Sequence, residues 1–344
     1  MRRVCIFGAG AIGGELATHL AIAGAEVSVV ARGALLDAIR ARGITVRTRD
    51  GAILHCSPYA ASDDPRDLGP QDAVVVAVKA PALPGVAARV APLLGSETPV
   101  AFVMNGLPWW YGMGAAGPPA EAVLPDLDPG GVLHAAVGEA RVIGGVVYSA
   151  CTMVEPGAIH SGHASNKLVI GEPDGQLSDR ALSLAALFEA GAMPCRVTRD
   201  IRAEVWGKLM TNLASGPICL LSRSGLSKSF ADPVVRAAAI RAVQEGMAIA
   251  NAVLGRPLGG TAEARIDRLA ATDHKPSILQ DLEHGRALEL EALLLHPLRL
   301  ARRTGVETPT LDLLTALASQ AAERADVYRP RRSEIAALPE EGGG

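Results

Sequence analysis

Aromatic residues are scarce in this chain: four Phe, four Tyr and three Trp make up 3% of 344 residues. Hydrophobic residues still reach 49%, so a large core must be built mostly from Ala, Leu and Val, and the length is enough for two domains. Cysteine is sparse as well. Cys5, Cys56, Cys151, Cys195 and Cys219 are scattered and odd in number, with no C-x-x-C and no Cys/His spacing. That argues against a disulfide framework and against a metal site, and for a reducing, cytoplasmic setting. Neither sign of charge dominates: 33 basic against 36 acidic residues give a net charge of −3. Such a balance offers no electrostatic footprint for nucleic acid or an anionic membrane. No uninterrupted apolar stretch reaches membrane-spanning length. No leader peptide is expected, because a buried strand begins at Val4.

What the chain does have is a short apolar run, Val4–Phe7, feeding directly into Gly8-Ala9-Gly10-Ala11-Ile12-Gly13. In a dinucleotide-binding turn, Gly8 permits the tight bend and Gly10 lets a pyrophosphate approach the backbone. Gly13 lets the following helix pack close to the strand. The helix N-terminus then turns free N–H groups and a positive dipole end toward the phosphates. An amphipathic helix (Leu16, Leu20, Ile22), Gly24 and a second strand, Glu26–Ala31, complete the expected unit. Where an acidic residue would bind a ribose 2′-OH, this chain carries Arg32. A guanidinium suits a 2′-phosphate, so NADPH is expected over NADH; the bland alternative is a solvated loop charge.

Strand patterns at 4–7, 26–31, 44–48, 73–78 and 99–103 alternate with helical ones. They predict an α/β fold: a Rossmann-type, doubly wound parallel sheet over residues 1–198. Residues 112–135 are rich in Gly, Pro and Ala, which predicts an irregular insertion. Strands at Val142–Tyr148, Gly157–His160 and Lys167–Ile170 are expected to extend the sheet, with Glu155-Pro156-Gly157 as a turn. Residues 199–328 predict an all-helical domain. Asp200 is an expected N-cap for a helix through Leu213, and Asp232-Pro233 starts another running to Gly255. A helical stretch over 277–303 is expected to break at Gly285 and Pro297, Pro309 opens the last helix, and the tail 329–344 is expected to be disordered.

A partner domain must supply substrate contacts and a proton. Glu204, Lys208 and Asn212 recur every four residues, which puts them on one side of a helix. Trp206 and the apolar run Leu213–Leu221 argue that this helix does not simply face water; the plainer reading is a surface Glu204–Lys208 pair. Ser277 with Gln280 fits a capping box. Glu289 lies among Leu288, Leu290 and Leu293, where a buried carboxylate needs a partner. Lys79 and Asn105 each end a strand at the carboxyl edge, where open α/β sheets bind ligands.

Taken in order, these residues bring out a likeness. Gly8–Gly13, Val78-Lys79-Ala80, Met104-Asn105-Gly106 and Trp206-Gly-Lys208-Leu-Met-Thr-Asn212 all contribute. So do Ser277-Ile-Leu-Gln-Asp281, Gly285-Arg286, Glu289 and Thr308-Pro309-Thr310. The chain resembles the ketopantoate reductases (2-dehydropantoate 2-reductases) over about residues 3–327, and Asn105-Gly-Leu-Pro-Trp-Trp-Tyr111 looks like one bacterial subgroup. The resemblance implies NADPH-dependent reduction of a 2-keto acid to a 2-hydroxy acid, in a cleft between the two domains, and a place in pantothenate synthesis. It assigns catalysis to Lys208, and orientation of cofactor and lysine to Glu289. Asn105 would contact cofactor and substrate, Lys79 the cofactor, and Asn212 and Ser277 the substrate. Two departures stand out. Gly216-Pro217 replaces an asparagine before proline that helps hold the substrate's terminal hydroxyl, and Leu294-Leu-His-Pro297 replaces a small Asn-Gly-type stretch.

The alternatives are a paralogue acting on another, more apolar 2-keto acid, or a dehydrogenase of the 6-phosphogluconate or opine type. A non-catalytic NADPH-binding regulator would have no reason to keep Lys208 and Glu289 together. The Ala- and Leu-rich helical half could form a homodimer face or a monomer core.

Overall fold

The computed structural model describes residues 1–114, 127–162 and 166–329. Among these, twelve strands follow in order: β1 Arg3–Phe7, β2 Glu26–Val30, β3 Ile44–Arg47, β4 Ile53–Cys56, β5 Ala60–Ser62 and β6 Ala73–Val76. They continue with β7 Val100–Val103, β8 Val142–Tyr148, β9 Cys151–Glu155, β10 Ala158–Ser161, β11 Lys167–Gly171 and β12 Cys195–Val197. Eight of them form one sheet in the order β12-β11-β8-β7-β6-β1-β2-β5. Its pairs are parallel except β11 with β8.

The central strands are continuous apolar runs because both faces are covered. Alternate residues serve two cores. Val4, Ile6, Ala73, Val75, Ala101 and Val103 pack with Leu16, Leu20, Leu36 and Phe188 from the helices on one face. Cys5, Phe7, Val74, Val76, Val100 and Phe102 face the other way and join a core that continues through Trp109, Trp110 and Tyr111 into Ile201, Trp206 and Leu209. The helical half is therefore packed directly onto one sheet face. Gly144 of β8 permits this approach: a Cβ there would collide with the Trp110 ring and with Ile201. The Trp206 indole donates to the Tyr111 hydroxyl at 2.6 Å, so a fully buried ring keeps its one donor satisfied.

Some expected elements lie elsewhere. β3 belongs to a second sheet, β4-β3-β10-β9, not to the parallel one. Ile44 and Val46 point inward while Thr45 and Arg47 are more exposed, the alternation of a half-solvated strand. β10 joins the same small sheet instead of extending the main one, although Glu155-Pro156-Gly157 does turn β9 into β10. Glu15, buried in the helix Ala11–Ile22, ties that helix to the small sheet by accepting from Ser149 Oγ at 2.6 Å, Ser161 Oγ at 3.3 Å and Asn166.

In the helical half Asp200 caps as expected, accepting from Ala203 N at 3.0 Å. The helix runs past Leu213, through Gly216 and Pro217, to Ser222. Burial of Leu213–Leu220 outweighs the hydrogen bond that proline forfeits. Asp232 caps Pro233–Leu254 through Val234 N and Val235 N. Gly285 does interrupt the next helical stretch, but Pro297 does not: a wide turn over Glu291–Leu295 accommodates it, and His296–Thr304 continues. Of the expected insertion, residues 115–126 lie outside the described residues, and Val132–Val137 is a helix. Of the expected tail, residues 330–344 lie outside them.

The glycine loop folds as its three positions require. Gly8 has φ +97° and Gly13 sits where a Cβ would overlap the Gly8 carbonyl, while a Cβ on Gly10 would meet nothing within 4 Å. Gly13→Ala should therefore lower the melting temperature by roughly 5 °C or more, the scale of core overpacking. Gly10→Ala should melt like the parent yet bind dinucleotide weakly, because its methyl intrudes only on ligand space. Differential scanning calorimetry with a nucleotide titration checks both; equal melting losses would contradict this division of roles.

Candidate active site

The loop Gly8–Gly13, Lys79 and Asn105 follow β1, β6 and β7, so the sheet itself gathers them at its carboxyl edge. Two adjoining cavities open there. One, of about 470 Å³, is lined by Gly8, Ala9, Gly10, Arg32 and Lys79. The other, of about 320 Å³, is lined by Gly10, Ala11, Ile12, Lys79, Asn105, Ser277 and Glu289. Gly10 and Lys79 border both. The bare Gly10 backbone, the helix start at Ala11 and the absence of any carboxylate from the first cavity's walls all suit a dinucleotide.

Lys208 comes from the long helix Ile201–Ser222 and reaches the sheet edge. Its ammonium donates to Asn105 Oδ1 at 2.6 Å and to the Val147 carbonyl at 2.5 Å. Both acceptors line the cleft, so the half-buried Lys208 stands one hydrogen bond from it. Burial pulls its pKa down from 10.5 to about 8, with Glu289 pulling the other way.

Glu289 is 7% exposed. Its Oε1 accepts from Ala80 N at 3.0 Å, fixing the turn after Lys79. Burial raises its pKa; the Ala80 N–H and the charges of Lys79 and Lys208 oppose that rise. Glu289 thus acts on Lys208 through its field rather than through a direct bond.

Lys79 spans the cleft to Asp281 Oδ2 at 2.5 Å, and Arg286 Nε donates to Asp281 Oδ1 at 2.9 Å. A buried carboxylate between two cations joins the halves at the cleft mouth. Gln280 adds a polar bridge, its Oε1 accepting from Thr152 at 3.1 Å.

Other expectations fare differently. Ser277 lines the cleft but is the first helical residue, not a cap; Pro276 holds the cap position, and the Gln280 amide donates to the Lys275 carbonyl instead. The capping box does not form. Glu204 pairs with Arg196 and accepts from Tyr148 Oη at 3.1 Å, leaving Lys208 to Asn105. Asn212 is half-buried one turn beyond Lys208 and is absent from the cleft's walls. Arg32 follows β2 by two residues and lines the first cavity. Sequence reasoning passed over the carbonyl of Val147, the N–H of Ala80, Asp281 and Arg286. Backbone groups carry no residue signature, while Asp281 and Arg286 stood within the motifs and marked themselves only by charge near Ser277. A third cavity, of about 750 Å³ and mostly apolar, shares Met104 and Glu289 with the cleft.

One wall of this cleft is shaped for a dinucleotide, and an ammonium stands behind Asn105 at its edge: the class is a nicotinamide-dependent oxidoreductase. Comparison with known proteins narrows it. Residues 4–175 match the family model described as ketopantoate reductase PanE/ApbA, and residues 200–322 match the C-terminal model of the same family. The 2-dehydropantoate 2-reductase of Mesorhizobium japonicum is 41% identical over 95% of this chain and 99% of its own. A Ralstonia solanacearum structure, provisionally named a ketopantoate reductase, is 38% identical over 95% of this chain and 100% of its own, with a TM-score of 0.88. D-mandelate dehydrogenase shares the fold in two structures: one with NADH and anilino(oxo)acetate, over 95% of this chain and 100% of its own (TM-score 0.77, 18% identity), and one with NADH, over 94% and 99% (TM-score 0.73, 17% identity). The chain belongs to the ketopantoate reductase family. Among the described residues, no helix is long and apolar enough to cross a membrane.

Asp281→Asn should weaken the join between the halves. Lys79 and Arg286 are 45% and 44% exposed, so solvent screens their attraction and the expected loss is only about 1–2 kcal/mol. Urea unfolding at low salt should show that loss, and molar salt should shrink it; a salt-independent loss would assign Asp281 a packing role.

Proposed function

We propose that this chain reduces a 2-keto acid to a 2-hydroxy acid with NADPH, with ketopantoate to pantoate as the first candidate reaction. The observation that carries the reading is the Lys208 ammonium, bonded to Asn105 and Val147 beside Glu289 at the edge of the dinucleotide cleft. The bound cofactor supplies hydride. The ketone oxygen gains negative charge as hydride arrives, and an ammonium in a dry site stabilises it most at that moment. With a pKa of about 8, Lys208 is mostly protonated at neutral pH yet releases its proton more readily than a solvated lysine. To meet the substrate it exchanges one present acceptor for the keto oxygen. Glu289 favours the charged form of Lys208 and holds the Lys79–Ala80 turn. Ser277, exposed at the cleft, would meet the substrate carboxylate, and Asn212, half-buried one turn beyond Lys208, would be a further substrate contact. Arg32 selects the 2′-phosphate. In this reading residues 1–198 form the cofactor domain and 199–328 the catalytic one.

A second reading, a reductase of a more apolar keto acid, is favoured by Gly216. That position offers no polar group, and its nearest neighbour is Ile278 Cγ2, 3.6 Å from where a Cβ would sit. A pocket without a hydrogen-bonding partner rejects a hydroxyl-free analogue weakly.

NADPH oxidation by purified protein, with ketopantoate and a panel of branched and straight-chain 2-keto acids, tests both readings. Turnover of ketopantoate supports the first, and turnover confined to apolar keto acids supports the second. Silence with every keto acid would leave a non-catalytic binder. Lys208→Ala should lower kcat by about 10²-fold or more, with NADPH affinity unchanged; comparable turnover would mean that another acid does the work.

The pH dependence should follow the same residue. Because the lysine must carry its proton and its pKa lies near 8 rather than 10.5, kcat/KM should hold at neutral pH and fall as pH rises past that value. A plateau extending toward the ordinary lysine pKa would show that Lys208 is solvated in the working enzyme.

A further inference from the structure

We propose that Arg89 is a second specificity-determining cation for the 2′-phosphate of NADPH, lining the same cavity as Arg32. The inference rests on the NADPH reading and extends it to a residue outside every motif of the sequence. The charged walls of the cavity at the ends of β1 and β2 are Arg32, Lys79 and Arg89, without a carboxylate among them. Lys79 is engaged by Asp281. The Arg32 side chain is exposed at the mouth, with no hydrogen bond or ion pair among the described residues.

Arg89 is held quite differently. Its Nε donates to the Gly85 carbonyl at 3.2 Å and its Nη1 to the Asp63 carbonyl at 3.0 Å. The guanidinium carbon stands 5.5 Å from the centroid of the Phe7 ring. Two carbonyls and a ring fix the plane before any ligand arrives, so little side-chain freedom remains to be lost on binding. Neither acceptor carries a full charge, so the guanidinium stays un-neutralised. Asp64 feels that charge, but Arg66 already holds it through both carboxylate oxygens.

The ligand chemistry matches this arrangement. A phosphate monoester carries nearly two negative charges at neutral pH, more than one mobile Arg32 neutralises. The pyrophosphate has its own site at the helix start beside Gly10. That leaves the ribose phosphate as the anion for a rigid, unpaired guanidinium beside the end of β2.

Dissociation constants for NADPH and NADH, measured by calorimetry on the parent, Arg32→Ala and Arg89→Ala, test the idea. Arg89→Ala should weaken NADPH about tenfold, the scale of a lost charge-assisted bond, while NADH changes less than about twofold. Should that variant fold poorly, Arg89→Gln carries the test with the same expected loss, because its amide can still donate to a backbone carbonyl. Equal weakening of both nucleotides would mean that Arg89 supports the adenine or the wall, and would overturn the proposal. So would unchanged NADPH affinity. A parent that binds NADH as tightly as NADPH, with Arg32→Ala indistinguishable from it, would bring down the NADPH reading itself and this proposal with it.

Discussion

A half-buried ammonium must find acceptors, and among the described residues Lys208 finds them across the junction between the helical half and the sheet. That single demand organises the cleft. It brings the helix Ile201–Ser222 against β8, and it recruits the side chain of Asn105 at the end of β7. Close packing of Trp110 and Ile201 over Gly144 makes the short approach possible. The same burial that shifts the lysine's pKa also raises that of Glu289, and each opposes the other's shift. The two groups form a coupled pair with a shared environment. A change that lets water into the junction would move both together.

The architecture was legible where one local rule decided the outcome. The glycine loop, the caps at Asp200 and Asp232 and the apolar runs of β1, β6 and β7 each answer to nearest neighbours in the chain. The misplacement of β3 came from treating an alternating strand like a continuous one, and its Thr45 and Arg47 carried the contrary signal. β5 is three residues, Ala-Ala-Ser, with no strand preference to detect. Gly216-Pro217 breaks helices in isolation, and only tertiary burial carries the helix through it. The capping box at Ser277 failed because a proline already sat one position ahead, at the cap.

The site divides along the same line. Side chains that end strands were found, because topology alone brings strand ends together. Glu289 was visible as a charge among apolar neighbours, and Lys208 by its four-residue spacing with Glu204 and Asn212, a pattern that a surface ion pair also fits. The groups that hold them were not visible. A carbonyl on β8 and an amide after Lys79 belong to the backbone, and their availability depends on where ladders stop. Arg89 lies deeper still, since nothing in its local sequence separates it from a surface arginine.

Binding and discrimination are thus built from different materials. The pyrophosphate end of the cleft uses backbone: Gly10 is bare, and the helix offers its N–H groups. In the proposed reading the substrate end uses side chains borne on the helical half, and Gly216 brings no polar group there, with Ile278 as its near neighbour. A backbone site tolerates little change, because any Cβ at Gly13 disrupts the fold along with the function. A side-chain site on a helix face can be recut one residue at a time without moving the sheet. In that reading substrate choice can drift while the hydride chemistry stays in place, and a change at a helix position such as Gly216 is of the kind that the scaffold permits.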